Sequence, residues 1–253
     1  MSRTEPVECS APYRVRFDEA APDGLIRTSV LLRYTQDLAS YHSTVLGFGR
    51  AWYAERGITW LVRAAEVAVL APIPVGSDLV GTTTVVGGRR VWARRRSEFQ
   101  DPAGRLVARV LIDWVLLDAR GSPTRIPPEF DVVFGTSAAD VKPARVDIGD
   151  VPPGAARLTY TVRRHELDPM DHVNNAVYAD WLDEAVIAAR DEPAVRAIPR
   201  LVRLEYVRSA EPSERLVGST WNDGTGWSFD LVSEAGADRL RARLEGDPMR
   251  ADA

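Results

Sequence analysis

Apolar side chains return at two different intervals along this chain, and the two intervals follow each other in the same order twice. From Ser29 to Ser43 the interval is three to four, carried by Val30, Leu31, Tyr34, Leu38 and His42. That spacing predicts a helix, with Ser29 as its N-cap. From Asn175 to Arg190 the same interval returns in Val177, Tyr178, Trp181, Leu182, Ala185, Val186 and Ala189, and predicts a second helix. Gly47 and Pro193 punctuate their ends. Elsewhere the interval drops to two. Alternation predicts strands over Tyr13–Phe17, 59–70, 78–86, 90–100 and 105–117, and again over Leu158–Arg164, 200–208, 215–221, 227–233 and 239–245. Turn residues separate them: Gly87-Gly88, Asp101-Pro102-Ala103-Gly104, Asn222-Asp223-Gly224 and Glu234-Ala235-Gly236. With no phosphate-loop context, Gly87-Gly88 reads as a hairpin turn.

The two series are copies. Val15-Arg16 matches Val162-Arg163 at an offset of 147 (162 minus 15), and at that offset Val30 meets Val177, Tyr34 meets Trp181 and Asp37 meets Glu184. Leu61-Val62-Arg63 is echoed by Leu201-Val202-Arg203, Leu79-Val80-Gly81 by Leu216-Val217-Gly218, and Arg105-Leu106 by Arg239-Leu240. The order holds while the offset shrinks, as loop deletions would make it. One helix followed by an antiparallel meander is an α+β unit, a curved sheet wrapped round its helix. The expected organisation is a first unit over 1–130, a linker over 131–157 and a second unit over 158–253. The stretch from Pro127 to Gly154, rich in Pro, Gly, Asp and Ala, supplies the linker character. Two such units are expected to join sheet edge to sheet edge, which covers strand edges that otherwise invite aggregation.

Composition narrows the function classes. The chain has 253 residues, 45% of them hydrophobic and 27% charged, enough apolar content for a packed core. A net charge of −4 argues against a nucleic-acid partner. Apolar runs such as Val115-Leu116-Leu117 fall far short of the roughly 20 residues of a spanning helix. Met1 to Pro12 contains Arg3, Glu5 and Glu8 and no apolar stretch of secretory type, so a cytoplasmic location is expected. The single Cys9 makes no internal disulfide, and Cys/His metal spacing is absent, so neither metal nor organic cofactor is expected.

Candidate chemistry concentrates between His165 and Trp181, where two histidines, acids and Asn174-Asn175 precede the second helix. Loops on rigid scaffolds are where functional side chains gather. A helix N-terminus offers unpaired N–H groups to an oxygen gaining negative charge. Asp168 is the candidate nucleophile or general base, and His172 its partner in proton transfer. The plainer reading of the same residues is that Asp168 and Asn174 cap turns and His172 belongs to the core.

The string Asp168-x-x-x-His172-Val173-Asn174-Asn175-x-x-Tyr178-x-x-Trp181 resembles the second-half signature of the acyl-ACP thioesterases, the double-hotdog family of plants and bacteria. The first half is similar as well, in Leu31 to Ala39, in Gly57 to Val62, and in Asp113 to Asp118 followed by Pro127. This resemblance covers most of 13–245. It implies a tandem hotdog fold, hydrolysis of an acyl thioester, an acyl carrier protein as the partner, and a place in fatty acid biosynthesis. It carries the catalytic Asp to Asp168 and the catalytic His to His172, with Asn174 and Asn175 bracing the loop. The chain departs from the pattern at two points. The family's intervening Asn falls on Met170, and its Glu or Glu-Cys falls on Ser209-Ala210. Neither a thioether nor a serine replaces those groups chemically. Asp171, Glu205 and Glu211 are the neighbouring carboxylates that stand in line to compensate. In the first copy Asp168 meets Ala21, His172 meets Leu25 and Asn174 meets Arg27, so one site per chain is expected, with the first unit shaping the acyl tunnel.

Substrate contacts are expected from Met170 and Ser209, from Trp60 in the tunnel lining, and from Arg89, Arg90 and Arg94. Those three arginines belong to a run of five within eight positions, Arg89 to Arg96. The run reads as a basic dock for an acidic carrier protein, or equally as a solvated strand. His42 beside Ser43 does not make a triad, because neighbours on a helix point apart. A dehydratase or hydratase on the same scaffold is the second enzymatic reading, although neither His-Phe-Pro-Gly nor Asp-x-Asn-Pro-x-His occurs. A non-catalytic module binding acyl carrier protein or acyl-CoA is the third. Monomer and homodimer are both open, since an internal duplication already mimics a dimer.

Overall fold

The computed structural model describes residues 7–135 and 143–246. Ten strands form one antiparallel sheet. In chain order the elements are β1 (Glu8–Arg14), α1 (Thr28–Val45), α2 (Arg50–Arg56), β2 (Ile58–Val69), β3 (Asp78–Arg89), β4 (Trp92–Gln100), β5 (Leu106–Asp118) and α3 (Pro128–Phe134). The second series is β6 (Ala156–Thr161), α4 (Val177–Ala188), α5 (Glu192–Arg196), β7 (Arg200–Tyr206), β8 (Arg215–Asn222), β9 (Trp227–Ser233) and β10 (Asp238–Glu245). The spatial order is β1-β3-β4-β5-β2-β7-β10-β9-β8-β6, so each half is the other read backwards. The seam is the antiparallel β2–β7 pair, from Ala64 opposite Glu205 to Val69 opposite Arg200. The expected edge-to-edge joining of two units is what closes the sheet.

The core lies where α1 and α4 pack on the sheet and on each other. Val30, Leu31, Leu38, Leu182 and Val186 are buried there with the inward residues of the strands, such as Val67, Val110, Leu204 and Leu240. The duplication extends to single hydrogen bonds. Tyr13 Oη donates to the Tyr34 carbonyl, and Tyr160 Oη to the Trp181 carbonyl, 147 residues on. Arg33 and Asp180, which are equivalent positions, pair with each other across the helices at 3.2 Å.

Four local expectations are corrected. The first strand ends at Arg14, and Phe17 lies in a single 3-10 turn, 91% exposed. Glu19 turns back there to hold Arg16 and Tyr34, and this takes the chain off the sheet. Helix α1 begins at Thr28 behind Arg27, so Ser29 is inside it, where its hydroxyl accepts from Arg33. Gly87-Gly88 is not the hairpin turn. Both glycines lie in β3 beyond a bulge at Val85, and the chain reverses at Arg90, which takes φ 55°. The connector is not featureless either. Its first part is α3, whose Phe130 and Phe134 pack against Phe48 and Val85. Its later part follows the sheet: Ala144 N–H donates to Asp113 of β5, Val146 N–H to Glu205 of β7, and Val146 and Ile148 pack on Trp221 of β8.

Candidate active site

The loop before α4 is fixed almost entirely by its own backbone. Asp168 N–H donates to the His172 carbonyl at 2.8 Å, Asp171 N–H to the Asp168 carbonyl at 3.0 Å, and Asn174 N–H to the Glu166 carbonyl at 2.8 Å. The first copy repeats these bonds between Ala21 and Leu25, Gly24 and Ala21, and Arg27 and Glu19. Where the first copy uses Gly24 for its left-handed residue, the second uses Asp171 at φ 60°. Asp tolerates that region better than most side chains. The two loops share a backbone and differ in what they carry.

Asp168 Oδ1 accepts from Met170 N–H at 2.8 Å and, at 3.4 Å, from His172 N–H. Backbone donors therefore aim the carboxylate. The His172 imidazole makes no hydrogen bond to it. Asp168 lines two cavities at once, one of about 430 Å3 and one of about 180 Å3. Met170, Gln36, Trp60 and Trp114 line both as well. His172, Asn175 and Ser209 face the smaller cavity, and Asn174 the larger. Among the described residues, Asp168 is the one carboxylate that lines either space.

The expected substitutes for the missing family groups are elsewhere. Glu205 is 2% exposed and tied to Arg63 at 3.1 Å and to Val146 N–H, which makes it part of the seam. Glu211 donates its own N–H to Glu214, and Asp171 sits at the exposed loop apex. Met170 is 45% exposed, with its sulfur 3.9 Å from Thr59 Oγ1. Ser209 Oγ donates weakly to the Ala210 carbonyl at 3.4 Å and also bonds the Tyr178 hydroxyl. Behind it, Tyr178 Oη accepts from Ala210 N–H at 3.0 Å, and Tyr206 Oη donates to the Asn175 carbonyl at 2.9 Å. Burial pushes the Tyr178 phenol up to about 12 and raises Tyr206 well above its ordinary value, so both stay neutral braces.

Two donors in the site come from the first unit and left no local signal in the sequence. Ala176 N–H donates to Asn174 Oδ1 at 3.0 Å, so Asn174 turns its amide nitrogen the other way, to Gln36 Oε1 at 3.3 Å. That leaves Gln36 Nε2 as a buried donor with no acceptor among the described residues, and Trp114 Nε1 is another. The N–H of Asn175 likewise has no acceptor among the described residues. Unpaired buried donors are costly, and where they converge on a cavity they are suited to an oxygen brought by a ligand.

The arginine run does not form one patch. The β4 pleat sends Ala93, Arg95, Ser97 and Phe99 inward and leaves Arg94 and Arg96 outside. Arg94 forks onto Asp113 at 2.6 and 2.7 Å. Arg89 and Arg90 are exposed at the β3–β4 reversal, and none of the three lines a cavity. Arg95 is the exception, buried and lining the larger cavity.

Comparison with known proteins fits this geometry. Residues 7–133 match the acyl-ACP thioesterase N-terminal domain, and residues 153–244 match the acyl-ACP thioesterase C-terminal domain. The acyl-ACP thioesterase of Bacteroides thetaiotaomicron VPI-5482 superposes with a TM-score of 0.79 at 15% identity, over 94% of this chain and 97% of that one. The 12:0-ACP thioesterase of Umbellularia californica gives 0.78 at 22%, over 94% and 96%. Rv2001 of Mycobacterium tuberculosis is 24% identical over 201 residues, 74% of this chain and 73% of that protein. These likenesses establish the double-hotdog fold, and no helix among the described residues is long and apolar enough to cross a membrane. With both of its halves matched in order, the chain belongs to the acyl-ACP thioesterase family and is a thioester hydrolase.

Proposed function

We propose that this protein releases free acids from acyl groups carried on acyl carrier protein, using one site per chain in the C-terminal unit 158–253. The observation that carries the reading is Asp168, the one carboxylate among the described residues that lines both cavities. In this reading the acyl group occupies the larger cavity and the pantetheine arm the smaller, with the thioester carbonyl between them. Arg63 and Arg208 line the smaller cavity and suit the phosphate at the far end of that arm. Asp168 takes a proton from water as it adds to the carbonyl carbon, or adds directly. The oxygen gains charge among Gln36 Nε2–H, Trp114 Nε1–H and Asn175 N–H. His172, on the smaller-cavity side, delivers a proton to the departing sulfur.

The test is thiol release from acyl-ACP and acyl-CoA panels by wild type and Asp168→Asn. Loss of a general base or nucleophile is expected to lower kcat by roughly 100-fold to 10,000-fold. Unchanged turnover in a folded variant removes Asp168 from the chemistry.

A further inference from the structure

The larger cavity holds a positive charge that no described residue neutralises. Arg95, on β4, is 5% exposed. Its Nη1 donates to His42 Nδ1 at 2.9 Å and to Thr83 Oγ1 at 3.4 Å. Its Cζ lies 5.6 Å from the centre of the Phe134 ring. None of these partners carries a negative charge. His42 is itself buried, and the guanidinium and burial together lower its pKa to about 4, so it accepts from Arg95 as a neutral ring. The other titratable groups near Arg95 are Tyr53 and Cys9, both pushed up by burial and so uncharged. Among the described residues no carboxylate lies within ion-pair distance. Elsewhere in this chain Arg63 is paired with Glu205 and Arg94 with Asp113, and buried Arg200, which has no ion pair among the described residues, still feels the charges of Asp183 and Asp23.

A buried cation without a counter-charge is unfavourable unless something brings one. The guanidinium also keeps its recognition edge free. Both of its hydrogen bonds run from Nη1, and Nε and Nη2 donate to no described residue. Two parallel N–H groups on one edge of a guanidinium are the donor pattern that binds a carboxylate through both oxygens. Ser40, Ser43 and Tyr53 also line this cavity and make its wall polar beside Arg95, with the Tyr53 hydroxyl accepting from Trp60 Nε1 at 3.2 Å. The site of hydrolysis is within reach. Ala93, which lines the cavity opposite Trp114, and Arg95 point the same way from β4, two residues or about 7 Å apart along the strand.

We propose that Arg95 is a specificity-determining residue that binds a carboxylate at the far end of the acyl group, making this enzyme selective for ω-carboxyacyl thioesters over alkyl ones. This rests on the larger cavity being the acyl site. The experiment compares adipoyl and suberoyl thioesters with hexanoyl and octanoyl thioesters on the same carrier, for wild type, Arg95→Met and Arg95→Lys. Thermal melting with free suberate is measured alongside, because it needs no turnover. The expected result is a preference of at least 10-fold in kcat/KM for the carboxyacyl substrates, lost or reversed in Arg95→Met and partly kept in Arg95→Lys. Suberate should raise the melting temperature of wild type and leave that of Arg95→Met unmoved. Wild type that hydrolyses octanoyl at least as fast as suberoyl thioester overturns the inference and leaves the thioesterase reading standing. If no thioester is hydrolysed but suberate stabilises wild type alone, the carboxylate site stands and the proposed reaction falls.

Discussion

The repeat makes a paired prediction about packing. Gly218 of β8 and its counterpart Gly81 of β3 each lie beneath two aromatic rings. A Cβ on Gly218 would stand 2.6 Å from Phe229 Cε2, 2.9 Å from Phe229 Cζ and 2.9 Å from Tyr160 Cε2. On Gly81 the nearest atoms are Phe99 Cε1 at 2.9 Å and Tyr13 Cε2 at 3.0 Å. Neither glycine has a backbone conformation closed to alanine, so the effect of Gly→Ala is steric. At Gly218 the rings have nowhere to go. Phe229 is fully buried, and Tyr160 is anchored by its hydroxyl to the Trp181 carbonyl at 3.0 Å. Overpacking of this kind costs about 1–3 kcal/mol. Replacing a strand glycine returns about 0.5–1 kcal/mol through the unfolded chain. With contacts below 3.0 Å on anchored rings, the overpacking cost falls in the upper half of its range. Gly218→Ala should therefore lose about 1–2.5 kcal/mol net, which corresponds to roughly 2–10 °C for a chain of this size. Gly81→Ala should lose less, because its closest contact is 2.9 Å rather than 2.6 Å while its two rings are held as those over Gly218 are. Urea unfolding of the two variants reads the difference directly. A Gly218→Ala protein as stable as wild type, or a Gly81→Ala protein that loses more, would refute the ring-beneath-glycine reasoning.

Two further outcomes follow from buried charge. Glu205→Gln leaves Arg63 without its counter-charge at the seam and should cost about 2–3 kcal/mol, below the usual loss for a fully buried pair because Arg63 is a quarter exposed. Adding Arg63→Met should recover part of that loss in a double-mutant cycle by urea unfolding, and strict additivity would mean the pair is not coupled. His42 has a folded pKa of about 4 against 6.5 in the unfolded chain, so between those values the unfolded state binds more protons. Its contribution is complete above pH 6.5 and is lost as pH falls to 4, on the order of 3 kcal/mol in all. Asp183, whose carboxyl burial pushes up to about 7, slopes the other way over this window. The measurement is therefore the difference in stability between wild type and His42→Gln at each pH. That difference should shift in favour of the variant as pH falls, and a difference independent of pH removes His42 from the account.

Periodicity made most of the scaffold legible. The strand expected over 59–70 is β2 at Ile58–Val69, and the strand expected over 227–233 is β9. What it missed has physical reasons. Phe130, Val133 and Phe134 have helical spacing, but Pro127-Pro128 and the surrounding composition mask it as linker, although Pro is favoured in a first turn. The arginine run was read as composition, and the two-residue pleat that sends Ala93, Arg95, Ser97 and Phe99 inward was the signal that separates Arg95 from Arg94 and Arg96. Asp168 stood out because its neighbours form a dense polar string beside a helix. Gln36 and Trp114 did not, since each is one polar or aromatic residue on a regular element. Only the packing of one unit on the other brings these residues to the cavities that Asp168 lines.

On the proposed reading, that dependence on both units explains why a doubled fold would keep chemistry in one half. A site here needs a loop from one unit and a helix and strand from the other. For the C-terminal loop the other unit supplies Gln36 from α1 and Trp60 from β2. At the repeat offsets of 147 and 140, their counterparts facing the N-terminal loop are Asp183 and Arg200. Arg200 is buried, donates to Thr28 Oγ1 at 3.2 Å and to the Ala197 carbonyl at 3.3 Å, and feels the charge of Asp183. An amide and an indole that border open space on one side are replaced on the other by an acid and a base buried close enough to feel each other's charge. The loop opposite them has Ala21 in place of Asp168, so both contributions to the second site changed together. Restoring an acid at Ala21 alone would set a carboxylate near the Asp183–Arg200 charges without reopening a place for a thioester. The asymmetry of function therefore resides in the contact between the units as much as in the loop that carries Asp168.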